Sequence, residues 1–78
     1  MKNPKLNRLR DERKKKKLNT TEVALYLGIS QSMYSYIEIG RERLTYDIAV
    51  KLSKLFNLSP DELFYDDFKQ FFTEETYN

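Results

Sequence analysis

An all-α fold of five short helices is what this chain predicts, on three observations. Apolar residues recur three and four positions apart in separate short stretches, and no stretch alternates as a strand would. Helix-start signals repeat, with Asn19 followed by Glu22 and Ser59 followed by Pro60 and Glu62. Gly28 and Asn57 fall just past apolar runs, where a left-handed residue ends a helix. The 78 residues make one small domain, and 40% hydrophobic content with six Tyr and five Phe is enough for a compact core.

The elements follow in order. A first helix begins after Pro4, carries Leu6 and Leu9, and ends within Lys14 to Lys17, where cations complement the helix dipole. The second starts at the Asn19 capping box, has Val23, Ala24 and Leu27 on one apolar edge, and stops at Gly28. Ser30 caps the third, whose Tyr34 and Ile37 are three apart and turn toward the second. Two short helices meeting at one glycine form a helix-turn-helix over residues 19–40. The connector Gly40, Arg41, Glu42, Arg43, Leu44 carries both signs of charge. Thr45 caps a fourth helix with an inward stripe of Ile48, Leu52 and Leu55 beside Ala49 and Phe56, and Ser59 opens the fifth.

With Tyr34 and Ile37 inward, a wheel of about 100° per residue turns Ser32, Ser35, Tyr36 and Ile39 outward, with Gln31 at the exposed amino end. None of these five is charged, in a chain that is 33% Asp, Glu, Lys and Arg. An uncharged hydrogen-bonding face suits base edges: Gln pairs with adenine N6 and N7, Ser serves either base, and an apolar atom meets a thymine methyl. The plainer alternative is a polar helix that touches nothing.

A net charge of +2 conceals a polarity along the chain. Residues 1–17 hold nine Lys or Arg against Asp11 and Glu12, the middle is balanced, and residues 61–78 hold six acids against Lys69. A basic arm is an electrostatic footprint for phosphate, and the acidic end should lie away from it; the run Lys14 to Lys17 read alone is equally a solvated helix end. There is no Cys or His, and no glycine-rich phosphate loop, so neither a disulfide, a metal site, a cofactor nor catalytic residues are expected. The longest apolar run, Val23 to Ile29, is too short to span a bilayer, the N-terminus lacks a signal-peptide core, and Leu6 and Leu9 offer little apolar face to a membrane surface; a cytoplasmic protein is expected.

The stretches LNTTEVALYLGIS, SYIEIG and LFNLSPDELF, in this order and spacing, resemble those of the Xre or Cro/phage-repressor type of DNA-binding domain, from about Leu18 to Phe64. The resemblance implies a compact five-helix lambda-repressor-like fold whose third helix enters the major groove of double-stranded DNA. It implies base reading by Gln31, Ser32, Ser35 and Tyr36, and phosphate contacts from Asn19, Thr20, Arg41 and Arg43. It also implies that Glu38 pairs with an arginine of helix one. An extra helical turn before Leu18 relative to many relatives leaves Arg10 and Arg13 both open as that partner. Thr20 stands where many relatives carry Gln, so the bridge from a phosphate to the first recognition-helix side chain is expected to be lost. Tyr36 is bulkier than usual and suits stacking on a sugar as well as reading a base. Ile39 and Leu44, replacing residues more often polar and proline, suggest a hydrophobic contact near the loop.

Residues 1–64 are thus read as the DNA-binding domain and 65–78 as an aromatic, acidic extension. Phe64, Phe68, Phe71 and Phe72 are spaced as an aromatic stripe on a continued fifth helix. Such a stripe either folds onto the domain's own core or forms an association surface; a two-fold dimer is preferred, placing two recognition helices about 34 Å apart. The function expected is a sequence-specific transcriptional regulator, a repressor acting as a homodimer, with no sensor domain. The alternative is an antitoxin-like interaction protein whose tail binds a protein partner or antagonist while the helical domain autoregulates.

Overall fold

The computed structural model describes residues 3–76, and from residue 70 onward the course of the helix alone. Among the described residues the fold is all-helical: α1 (Asn7–Lys15), α2 (Thr20–Leu27), α3 (Gln31–Ile39), α4 (Tyr46–Phe56) and α5 (Pro60–Thr76). The helix ends are where local chemistry puts them. Asn19 and Glu22 form a reciprocal capping box with both bonds at 2.8 Å, and Ser59 and Glu62 form another at 2.8 and 3.1 Å. Ser30 and Thr45 accept from the backbone N–H groups of Met33 and Ile48. Gly28, Gly40 and Asn57 close α2, α3 and α4 in the left-handed region.

α1 ends differently. Lys17 takes a left-handed φ of 58°, and the N–H groups of Lys17 and Leu18 return to the carbonyls of Lys14 and Arg13. That is a glycine-type stop built on a lysine, and it turns the chain directly into the Asn19 cap. The amino end of α1 has no side-chain cap of its own; the Arg8 N–H instead donates to Asp67 Oδ2 of α5 at 3.1 Å. The fifth helix thereby satisfies an orphan donor of the first.

The core joins all five helices: Leu9, Val23, Ala24, Leu27, Tyr34, Ile37, Leu52, Phe56, Leu63 and Phe64, with Leu6 from the entering segment. Phe64, expected as a dimerisation candidate, is only 7% exposed, because α5 carries it with Leu63 onto the domain's own core. Phe68, one turn on, is half-buried against the same core. Phe71 and Phe72 lie outside the residues whose side chains are described. Leu44 packs on the core as the loop composition suggested, whereas Ile39 stays 47% exposed. α5 runs without a break across residue 64, so one helix carries the chain from core to extension.

Candidate nucleic-acid interface

A buried polar network ties α3, the second helix of the motif, to α1. Arg13 of α1 donates from Nε and Nη2 to the two carboxylate oxygens of Glu38 on α3, both at 2.9 Å. Its Nη1 donates to the Leu18 carbonyl at 3.0 Å, and the Tyr34 hydroxyl donates to Glu38 Oε2 at 2.6 Å. Arg13 is thus the partner of Glu38, and Arg10 lies beside Asp11 instead. The choice follows from the Lys17 turn, which brings Arg13 and Leu18 together. The Glu38 carboxylate pushes the Arg13 pKa up; burial, then the bond to Glu38, pushes the Tyr34 hydroxyl well above the ordinary phenol range. These groups fix the angle between α1 and α3 and leave the opposite face of α3 free. At the far end of α2, Lys51 of α4 reaches the Leu27 carbonyl at 3.4 Å.

On that free face Gln31, the first residue of α3, is exposed, and its Nε2 donates to Thr20 Oγ1 at 2.9 Å and to Ser35 Oγ at 2.8 Å. The shorter Thr20 thus still reaches Gln31, the protein half of the bridge. Thr20 is the first residue of α2, and Gly28 folds the two helix starts close enough for a hydroxyl to reach. Both amide hydrogens are engaged, so Gln31 presents its carbonyl oxygen outward as an acceptor, while Thr20 and Ser35 keep their own O–H groups as donors. One small array thus holds a donor at the start of α2, an acceptor at the start of α3, and a second donor one turn along.

The remaining expected residues divide. Ser32 is exposed beside Gln31, and Asn19 is occupied in its capping box. Tyr36 is 42% exposed and meets Arg41, whose Cζ lies 5.2 Å from the ring centroid. Arg43 is exposed, and neither loop arginine pairs with a carboxylate among the described residues. Met33, on the first turns of α3, is 39% exposed and is not among the residues expected on this face. Lys14, Lys16 and Lys17 stand exposed at the turn leading into Asn19, while Lys15 reaches back to Glu12 at 3.4 Å. No group of His, Cys, Asp and Glu among the described residues is arranged to hold a metal, and no helix there is long and apolar enough to cross a membrane.

A short uncharged helix face flanked by cationic turns offers hydrogen-bonding groups between positive charges, which suits a nucleic-acid surface. A helix-turn-helix family model matches residues 9–63, and the chain belongs to that family of DNA-binding transcriptional regulators. Among solved structures it is similar to the restriction-modification controller protein C.AhdI from Aeromonas hydrophila, at 29% identity and a TM-score of 0.68, over 74% of this chain and 88% of that one. None of the curated proteins matches it significantly.

Proposed function

We propose that this chain is a sequence-specific reader of double-stranded DNA, a repressor that acts as a cytoplasmic homodimer on a two-fold related operator. The observation that carries the reading is the Thr20–Gln31–Ser35 array, a set of donors and acceptors on an uncharged face of α3, with lysines before the motif and arginines after it. Gln31, Ser32 and Ser35 read base edges, Asn19 and Thr20 meet phosphates at the start of α2, and Arg41 and Arg43 meet them beyond α3. The likeness to C.AhdI favours, within this class, control of a restriction-modification system.

Pairing of two copies uses the outer side of α5. There Tyr65 is 50% exposed beside Pro60, Asp61, Phe64 and Phe68 along a shallow apolar groove. With Phe64 mostly buried at the floor of that groove, Tyr65 and Phe68 carry the described part of this contact. Two copies neutralising about six to ten phosphates should lose ~10³ to 10⁵ in affinity between 50 and 200 mM salt.

Selection of bound duplexes from a random library, followed by sequencing, tests the reading. An enriched inverted repeat with half-sites about one helical turn apart is expected. Salt-sensitive binding with no enriched sequence would leave a DNA-coating domain in its place.

A further inference from the structure

Tyr36 and Arg41 form a stacked pair that the turn after α3 holds in register. The Tyr36 carbonyl accepts from the Arg41 N–H at 2.7 Å and from the Glu42 N–H at 3.1 Å, so the backbone doubles back immediately behind the ring. Gly40 makes this possible with a φ of 85°. A Cβ on Gly40 would lie 2.8 Å from the carbonyl oxygens of both Asn3 and Pro4, so the segment entering α1 is packed against the turn from the other side. Leu6 anchors that segment by donating its N–H to the Glu38 carbonyl at 2.9 Å. The turn is therefore clamped between α3 and the amino-terminal segment.

Clamping fixes where the side chain of Arg41 begins, and the Tyr36 ring fixes where it goes. The Arg41 Cζ lies over the ring, 5.2 Å from the centroid, and this cation–π contact restrains where the guanidinium sits while leaving its N–H groups available. A guanidinium so held suits two oxygens of one phosphate, which it binds through paired hydrogen bonds. No carboxylate among the described residues neutralises Arg41. Meanwhile one face of Tyr36 is already covered by the cation.

We propose that Tyr36 is a positioning residue, which holds the Arg41 guanidinium toward a DNA phosphate and reads no base itself. This rests on the DNA-binding reading above and assigns within it a role different from the base reading first expected of Tyr36. Arg41 contributes the charge; Tyr36 contributes its direction.

The test is a double-mutant cycle on a duplex pool of random sequence, with affinity measured across a salt series for the full chain. Tyr36→Leu should weaken binding about two- to fivefold, the effect of removing an exposed cation–π interaction. Arg41→Ala should weaken it further and reduce the slope of log affinity against log salt by about 0.9 for each phosphate that is no longer neutralised. The double variant should bind like Arg41→Ala alone, and Tyr36→Phe should bind like the wild type. The sequences that Tyr36→Leu enriches from a random library should match those of the wild type. Thermal melting confirms that each variant is folded, since both side chains are on the surface. A Tyr36→Leu loss that persists undiminished in the Arg41→Ala background, no loss at all, or an altered base preference would overturn the pairing and leave the DNA-binding reading intact. A folded wild-type protein that binds no duplex would overturn both.

Discussion

Gln31 donates its side-chain amide to Thr20 Oγ1 across 2.9 Å, so the first residue of α3 is fixed by the first residue of α2. The bond joins the side chain proposed to read bases to one proposed to meet a phosphate at a helix start. The amide also donates to Ser35, which leaves it no rotation that keeps both bonds.

Thr20→Val keeps the shape of the side chain and removes the hydroxyl. Base preference at the pair read by Gln31 should relax, although Thr20 touches no base, and affinity for a preferred duplex should fall by about 0.5 to 1.5 kcal/mol. Thr20→Ser should retain both properties. Enrichment from a random library by the three proteins measures this; an unchanged preference for Thr20→Val would mean that Gln31 orients itself.

Arg13 and Glu38 are both largely buried, with side chains 11% and 8% exposed, so removing either leaves a charge without its counter-charge. Arg13→Met should cost about 3 to 5 kcal/mol in unfolding free energy. Arg13→Lys should cost less, since it keeps the charge but loses the paired geometry and the bond to the Leu18 carbonyl. Denaturant melts measure both, and a cost below about 1 kcal/mol for Arg13→Met would mean that the network holds nothing.

Glu62 titrates below the ordinary glutamate range because the Ser59 backbone N–H, then the Ser59 hydroxyl, favours its carboxylate. A carboxyl whose pKa is lower folded than unfolded adds stability above its unfolded value near pH ~4.3, and that stability is lost as pH falls through the folded value. Glu62→Gln keeps a capping side chain without the titration, so its melting temperature should fall less steeply with acid than the wild type's. Parallel curves would remove the capping box from the acid response. At the other end of the scale Tyr34, pushed up by burial, stabilises the fold below the ordinary phenol range and ceases to as pH rises past it.

Much of the architecture was legible because it is local. A capping box spans four residues and a left-handed stop one, so Asn19 with Glu22, Gly28, Ser30, Thr45, Asn57 and Ser59 with Glu62 all stand where spacing put them. What spacing does not carry is direction between helices. Arg10 and Arg13 differ by less than a turn, and the choice between them depends on the left-handed Lys17, a conformation that lysine rarely adopts. Phe64 and Phe68 make a stripe in any reading of the sequence, but whether it faces the core depends on how α5 lies against α1, where Asp67 meets the Arg8 backbone 59 residues away. Of the candidate interface, the face of α3 was legible. Its internal bonds were not, because Thr20 to Gln31 and Tyr36 to Arg41 each cross a turn whose path sets the distance.

The most direct test of α3 as a base reader is the affinity of Gln31→Ala for a duplex enriched by the wild-type protein and for a scrambled duplex of the same composition. A loss of about 1 to 3 kcal/mol on the enriched duplex, with little change on the scrambled one, is the predicted result. Equal loss on both would mean that Gln31 reads nothing, and would contradict base reading by this face of α3.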